Sequence, residues 1–188
     1  MDLSEVLSTT WSALHLGASP VRSPFTIWQF ATLGLDGAPQ VRSIVLRGLD
    51  EEARTLSFHT DCRSPKIAEI AADDRVSLAA VDLDSYRQLR VTGRARVVGD
   101  AGRRQAMWSA ARPHTLILYQ APLVPGTPVV APEEAQAPAD AGAGGFLNFA
   151  LIDVELQSLE LLDLTPGQHR RALFRWEDGQ WRGQWIAP

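Results

Sequence analysis

Hydroxyl and cationic side chains gather in residues 58–66, FHTDCRSPK. A β-prone segment ends here, and a helix is expected to begin at Ser64, because Ser caps helices and Pro65 suits the first helical position. The first N–H groups of a helix lack partners within it and carry about half a positive charge. With Arg63 and Lys66 beside them, these groups could bind a phosphate. A capped surface helix with solvated cations is the alternative, and this segment alone favours it.

Two arginines bracket the apolar run of residues 41–47, VRSIVLR. The run reads as a hairpin strand that should lie beside the strand at 54–60. Arginine binds phosphate through two parallel hydrogen bonds, which a lone lysine cannot do. Under strict alternation Arg42 and Arg47 face opposite sides, so they serve one point only if the strand twists or bulges. The alternative is that both are edge charges that discourage aggregation.

A third segment, YRQLRVTGRAR (86–96), alternates apolar and polar side chains. One face holds Leu89, Val91, Ala95 and Val97, and the other holds Gln88, Arg90, Thr92, Arg94 and Arg96. The second face is too polar for a core, so it is a solvated surface, an ion-pair lattice or the floor of a polar ligand site. A fourth segment, at 167–176, brings His169 and Arg171 into a strand. Taken alone, a His beside Arg is an ordinary surface residue.

The composition is that of a globular protein with no overall attraction for polyanions. The 188 residues are 45% apolar and 21% charged, with a net charge of −4. This balance disfavours binding to nucleic acid or an anionic membrane, so any anion site must be local. The single Cys62 excludes an intramolecular disulfide, and the scattered histidines lack metal-ligand spacing. With no signal peptide or membrane span evident, a cytoplasmic protein without a metal is expected.

Periodicity and turn signals predict a mainly β (α+β) chain. Helices are predicted at 4–17, 64–74 and 102–111, and strands at 25–35, 38–49, 54–60, 76–83, 86–99, 149–164, 171–176 and 180–188. Asp36-Gly37 is the strongest hairpin signal. The Pro-, Ala- and Gly-rich stretch at 123–145 is predicted to be a long loop. A single domain over 1–188, built as a closed or split barrel with helices at its margins, is expected.

Taken in order, these segments resemble the FMN-binding split-barrel family typified by pyridoxamine 5′-phosphate oxidase. The family's motifs correspond here to RSIVLR, FHTDCRSPK, RQLRVTG, GQHRR and the C-terminal WRGQWIAP. The resemblance covers roughly residues 22–120 and 150–188. Five motifs in the family's order are specific for fold and flavin, and much less so for substrate. The resemblance implies a split β-barrel of about six antiparallel strands. It also implies FMN as cofactor and a homodimer with flavin sites at its interface.

The resemblance also implies roles for single residues. Arg42 would bind the FMN phosphate, with Ser64 and Lys66 completing a phosphate cradle. The full set of implied FMN contacts is Arg42, Ser43, Ile44, Val45, Leu46, Arg47, His59, Thr60, Ser64, Lys66, Gln88, Gln120 and Arg171. Of these, Gln88 and Gln120 would reach the flavin of the other subunit, and Arg171 matches the family's C-terminal flavin arginine.

The chain departs from the family where the family binds its substrate's phosphate. The implied substrate contacts are Arg47, Trp108, Arg112 and His169. Leu116 replaces a family serine, and Gly167 replaces the arginine of the R-x-H pair. Because losing buried charge-assisted partners is costly, the FMN prediction stands while pyridoxamine 5′-phosphate is disfavoured as substrate. In the cradle, Pro65 stands where the family has a second cation, and Arg63 could replace it.

The predicted function is an FMN-dependent oxidoreductase that transfers hydride between FMN and a small aromatic or anionic substrate. No catalytic residue is assigned, since the flavin carries the chemistry. Two alternatives stay open: a non-catalytic flavin-binding or sensing protein, and an NAD(P)H-dependent flavin reductase. Turnover with NAD(P)H or with pyridoxamine 5′-phosphate separates them. The expected partners are a second copy of the chain and a small-molecule substrate, with no nucleic acid and no membrane.

Overall fold

The computed structural model describes residues 2–136 and 143–188. Its helices are α1 (Leu3–Ala18), α2 (Pro65–Ala72), α3 (Ala101–Ala110) and α4 (Pro113–Leu116). Its strands are β1 (Ile27–Leu33), β2 (Pro39–Asp50), β3 (Thr55–Asp61), β4 (Arg75–Asp82), β5 (Arg87–Val97), β6 (Phe149–Asp163), β7 (Arg170–Glu177) and β8 (Gln180–Ile186). Short 3₁₀ turns lie at Pro24–Thr26, Ile117–Gln120, Pro132–Ala135 and Ala143–Leu147. Within these described ranges, no helix is long and apolar enough to cross a membrane.

Six antiparallel strands close into a barrel. They follow the order β3-β2-β1-β4-β5-β6, and the pairing of β3 with β6 joins the two ends of the sheet. Strands β7 and β8 continue the sheet beyond β6. Closure satisfies backbone groups that an open edge would expose. The predicted mainly β barrel of about six strands with peripheral helices is confirmed.

Local chemistry sets most of the element ends. The β1–β2 turn follows the Asp36-Gly37 signal: Gly37 has a φ of 81°, which glycine adopts without steric cost. Helix α2 ends at Ala72, before the predicted residue 74, because Asp73 has an extended backbone. The predicted long loop at 123–145 holds 3₁₀ turns but neither α-helix nor strand in its described part, and residues 137–142 lie outside the described residues.

The barrel interior is filled by large apolar side chains. Fully buried members are Trp28, Phe30, Leu46, Leu56, Phe58, Leu78, Leu89 and Ile152. Burying each such side chain contributes about 1.5–3 kcal/mol. Helix α1 packs onto this core through Trp11 and Leu14, and a capping box between Asp2 and Glu5 fixes its start. The core therefore holds the ends of β1, β2 and β3 in place, where the polar residues of interest lie.

The polar face of β5 lies outside the barrel, as alternation predicts, but its apolar face ends earlier than expected. Leu89, Val91 and Ala95 are buried, whereas Val97 is 41% exposed and Val98 is buried instead. Including Val97 in the apolar face was therefore wrong. Strand β5 ends at Val97, and alternation no longer holds where the chain turns towards α3.

Candidate functional site

A cluster of hydroxyl and cationic side chains lies at one end of the barrel. Thr32, Arg42 and Thr60 continue the inward faces of β1, β2 and β3, and α2 packs across this end. The Lys66 ammonium donates to Thr60 Oγ1 at 3.0 Å and to Ser64 Oγ at 2.5 Å. Ser64 stands immediately before α2 and does not cap it through its side chain, so its hydroxyl is available to other partners. We call these five residues the cradle.

Arg42 of the cradle is held by a carboxylate that sequence analysis did not single out. Arg42 Nη2 donates to Glu69 Oε2 at 2.8 Å, and Arg42 Nη1 donates to Thr32 Oγ1. Thr32 Oγ1 in turn donates to the same Glu69 oxygen at 2.5 Å. Burial and the nearby charge of Arg42 lower the pKa of Lys66. The nearby carboxylates of Glu69 and Asp61 act in the opposite direction and raise the pKa of Lys66.

A second group of polar side chains lines a cavity of about 410 Å³. The cavity lies between the segment that follows α1, the β2–β3 pair and the end of α3. Its described lining residues include Arg22, Arg47, His59, Met107 and Arg112, and none of the described lining residues is acidic. A cavity with cations and no counter-ion in its lining favours an anionic occupant.

Arg47 reaches this cavity because β2 bulges. Leu46 pairs with Phe58 and Gly48 pairs with Ser57, so Arg47 is an extra residue with no partner opposite. The bulge foreseen as a condition for both arginines to serve one ligand is therefore present. Arg42 and Arg47 still lie five residues apart, roughly 16 Å along the strand. They would contact opposite ends of an elongated ligand.

His59 and Arg47 carry buried polar atoms that lack partners among the described residues. Both ring nitrogens of His59 and Nε of Arg47 are inaccessible and unbonded. Burial, and secondarily the charge of Arg47, lowers the pKa of His59 to about 4, so its ring is neutral near pH 7. Buried polar groups are normally hydrogen-bonded. These atoms therefore fit a ligand with hydrogen-bonding groups, such as a flavin ring.

Comparison with known proteins identifies the family of this chain. The model of the family described as pyridoxamine 5′-phosphate oxidase, FMN-binding domain, matches residues 9–99. A pyridoxine/pyridoxamine 5′-phosphate oxidase of Cupriavidus pinatubonensis is 30% identical over 179 residues, covering 84% of this chain and 77% of the relative. The chain belongs to the pyridoxamine 5′-phosphate oxidase-like family of FMN-binding split-barrel proteins.

Two further relatives agree with this family of FMN oxidoreductases. Pyridoxine/pyridoxamine 5′-phosphate oxidase 2 of Arabidopsis thaliana is 27% identical, covering 84% of this chain and 85% of the relative. A pyridoxamine 5′-phosphate oxidase-related, FMN-binding protein of Nostoc punctiforme has a similar structure, with a TM-score of 0.79, 25% identity and full coverage of both chains. FMN is therefore the cofactor, and the donor set of the cradle suits its phosphate.

The β2 residues between the two arginines differ in what they offer to FMN. Ile44 and Leu46 are both buried, but Leu46 lines the cavity whereas Ile44 does not. Ser43 is exposed and Val45 is half-buried on the outer face of β2. Gln29 Nε2 donates to Ser43 Oγ at 3.2 Å. The implied contacts of Ser43 and Val45 therefore require a ligand on the outside of the barrel.

Four further implied contacts, Gln88, Gln120, His169 and Arg171, lie outside both the cradle and the cavity lining. Gln88 and Arg171 flank Leu162 on neighbouring strands, and Arg171 Nε donates to Glu160 Oε1 at 3.1 Å. Gln120 packs beside Gly145, and His169 is exposed before β7. A family site shared between two subunits would need these residues from a second copy.

Trp108, an implied substrate contact, does not line the cavity of this chain. Its ring packs against Tyr119, Phe146 and Phe149, with centroids 5.3–6.0 Å apart. The preceding residue, Met107, lines the cavity instead. Neighbouring positions on a helix point about 100° apart, and the aromatic cluster draws the indole to the other side. Arg112 does line the cavity, and its Nη2 donates to the Pro20 carbonyl at 3.1 Å.

Arg63 does not replace the cation that the cradle lacks at Pro65. Its guanidinium donates to both Asp61 oxygens, at 3.0 and 2.7 Å, and to the Ala121 carbonyl at 3.1 Å. The hydrogen bonds to Asp61 raise the pKa of Arg63 and direct its charge away from Lys66. The cationic side chains of the cradle are therefore Arg42 and Lys66.

Proposed function

We propose that this protein is an FMN-dependent oxidoreductase that exchanges hydride between FMN and a small anionic or aromatic substrate. Arg42, Ser64 and Lys66 would hold the phosphate, and the flavin ring would meet Arg47 and His59. One observation carries the proposal: the cationic cradle at Arg42 and the cavity at Arg47 lie at two positions along the same strand, β2. The cradle supplies cations, and the cavity wall carries buried polar atoms without partners among the described residues. When bound, FMN supplies hydride transfer, and the protein supplies position and electrostatics.

The charge of the cavity supports an anionic substrate. Burial lowers the pKa of Arg47, and the nearby charge of Arg112 lowers it further. An anion between the two arginines would relieve their repulsion and orient the substrate. Neutral His59 would add a hydrogen bond without altering the charge, and Met107 and Val21 would pack against apolar parts of the substrate.

We further propose weak or absent oxidation of pyridoxamine 5′-phosphate, although relatives carry that activity in their names. A phosphate dianion needs several donors to offset its desolvation. Leu116 and Gly167 supply none, and the Trp108 ring is engaged in the aromatic cluster. The remaining donors suit a substrate of lower charge.

A homodimer with shared flavin sites is part of the proposal. Gln88, Gln120, His169 and Arg171 are the residues that the family motifs connect with flavin or substrate and that lie apart from the cavity. A second copy docked on the outer face of the barrel would bring them to the flavin bound by the first. Each site would then be complete only in the dimer.

The experiment is a turnover assay of the FMN-loaded protein. With millimolar pyridoxamine 5′-phosphate, hydrogen peroxide release is expected at a kcat/KM far below ~10⁴ M⁻¹s⁻¹, the low end for ordinary enzymes. A value within about tenfold of that figure would contradict the substrate proposal. Anaerobic flavin bleaching by NAD(P)H would identify a flavin reductase instead. A flavin that no donor in a broad panel of small anionic and aromatic compounds can reduce would indicate a non-catalytic flavin protein.

A further inference from the structure

The hydrogen-bond triangle around Arg42 joins three elements of the fold. Thr32 comes from β1, Arg42 from β2 and Glu69 from α2. Arg42 donates to both Thr32 Oγ1 and Glu69 Oε2, and Thr32 Oγ1 donates to Glu69 Oε2. The Glu69 side chain is 7% exposed and that of Arg42 is 24% exposed. The carboxylate is thus fixed inside the protein, while the guanidinium reaches the surface. One side of the Arg42 guanidinium is hydrogen-bonded to Thr32 and Glu69, and the side chain remains partly exposed to solvent.

We propose that Glu69, together with Thr32, is a positioning residue for phosphate recognition by Arg42. The inference rests on the proposed function, in which the cradle holds the FMN phosphate. Glu69 does not touch the phosphate itself. It orients the guanidinium plane, and it offsets the repulsion between Arg42 and Lys66 that would otherwise drive the two cations apart.

The count of donors agrees with this role. A guanidinium has five N–H groups, and the triangle uses one on Nη1 and one on Nη2. Among the described residues, three N–H groups of Arg42 have no partner and can donate to a ligand. Lys66 uses two of its three N–H groups on Thr60 and Ser64, which leaves one. The triangle therefore fixes Arg42 while leaving enough donors for a phosphate.

The competing explanation is that the ion pair only fastens α2 to the barrel. Both explanations predict that removing Glu69 lowers stability, because a partly buried guanidinium would lose its counter-ion. They differ in ligand selectivity. A purely structural pair would affect FMN and riboflavin alike, whereas a positioning residue would affect the phosphate-bearing ligand alone.

The test measures dissociation constants of FMN and riboflavin for full-length, flavin-stripped protein. The variants are Glu69→Ala, Glu69→Gln, Arg42→Ala and the double variant Glu69→Ala/Arg42→Ala. Glu69→Ala is expected to reduce the preference for FMN about tenfold, the size of one charge-assisted contact, with riboflavin affinity unchanged within about twofold. Glu69→Gln keeps the acceptor oxygen but not the charge, so its preference for FMN should fall between those of Glu69→Ala and wild type; a preference no higher than in Glu69→Ala would count against orientation of Arg42 through this oxygen. The double variant should lose no more than Arg42→Ala, because Glu69 acts through Arg42.

Three results would overturn the inference. They are an unchanged FMN preference in Glu69→Ala, an equal loss of FMN and riboflavin affinity, or a further loss of preference in the double variant. If Glu69→Ala does not fold, Thr32→Val removes the bridging hydroxyl at nearly constant volume and should lower the preference about threefold; no change there would also overturn it. A wild-type protein that binds both flavins equally would refute the cradle itself, which separates failure of the proposed function from failure of this inference.

Discussion

Lys66 and Arg63 stand close together at the start of α2, yet their charges serve different partners. Lys66 points into the cradle, whereas Arg63 is neutralised by Asp61. Replacing Lys66 by Met should weaken FMN binding about tenfold to a hundredfold, because one charge-assisted contact is worth ~1.5–3 kcal/mol. Riboflavin binding should be nearly unchanged. Fluorescence titration of the flavin-free protein measures both affinities.

Arg63→Met is the matched control for this prediction. It removes the same charge from the same segment and should change the affinity for FMN less than about threefold, since the cradle does not use it. If Arg63→Met weakened FMN binding as much as Lys66→Met, the net charge of the segment rather than the cradle would determine affinity.

His59 makes the stability of the flavin-free protein depend on pH. Its pKa falls from 6.5 to about 4 on folding. Between these values the unfolded chain binds a proton that the folded chain does not, so stability falls as pH falls through this window. His59 should contribute a loss of about 2–3 kcal/mol between pH 6.5 and 4.5. In His59→Gln this part of the loss should vanish in urea titrations at several pH values.

His169→Gln, a change at an exposed histidine, is the control and should keep the wild-type dependence on pH. An identical loss on acidification in wild type and His59→Gln would show that the imidazole is not buried in its neutral form. The prediction concerns folding alone and does not depend on the substrate.

The limits of prediction at this scale follow from what a motif contains. Arg42, Ser64 and Lys66 were foreseen because local chemistry and motif order mark them. Glu69 and Thr32 were not, since their role exists only where three elements meet. The predicted helix at 64–74 includes both Lys66 and Glu69. Residues three apart on a helix are neighbours, so this spacing could have suggested that Glu69 lies on the same side as Lys66. Tertiary packing turns α3 so that Met107, and not Trp108, lines the cavity. No local sequence signal marks that orientation of the helix.

At the scale of elements, α3 is joined to the barrel by an ion pair with a buried carboxylate as well as by the aromatic contacts of Trp108. The helix has no fully buried residue, yet it carries part of the cavity wall. Arg103 donates to both oxygens of Asp153, whose side chain is 1% exposed and also accepts from Ser57. Arg103→Ala should lower the free energy of unfolding by about 1–3 kcal/mol. It should also raise hydrogen exchange of α3 amides above that of the barrel.

Gln105→Ala, two residues further along the same helix, is the control and should change stability by less than about 0.5 kcal/mol. Unfolding in urea and hydrogen exchange followed by mass spectrometry give the two readouts. Equal stability of Arg103→Ala and wild type would mean that Trp108 and its aromatic neighbours alone anchor the helix.

Strands and helices were predictable because alternation, caps and turn residues are local signals. The hairpin at Gly37 and the alternating β5 are examples. The extra residue Arg47 in β2 was not predictable, because alternation alone does not reveal where a strand carries an unpaired residue. The bulge matters for the candidate site because the Arg47 guanidinium lines the cavity.

At the scale of the whole molecule, the outer barrel face is the surface on which a dimer would form. Ile27 of β1 and Val81 of β4 are 56% and 48% exposed there, and Val81 pairs with Gln88 of β5. Val81→Asp would place a charge in the proposed interface. It should convert dimer to monomer in light scattering and weaken FMN binding at least about tenfold, because contacts from the second copy are lost.

Val130→Asp is the control for this change. Val130 is 98% exposed on the segment after α4, and the variant should remain dimeric with full affinity for FMN. A wild-type protein that is monomeric while carrying one tightly bound FMN would contradict the shared site, and Gln88, Gln120 and Arg171 would then have no role at the flavin.

The most direct test of the whole account is the comparison of FMN with riboflavin on the wild-type protein. The two ligands differ only in the phosphate, for which Arg42, Ser64 and Lys66 would supply the donors. The account predicts that FMN binds more tightly by at least about a hundredfold, since two cations each add a charge-assisted contact worth about tenfold or more. Equal affinities, measured by fluorescence quenching of the two flavins, would contradict the phosphate cradle and the reading of the site built on it.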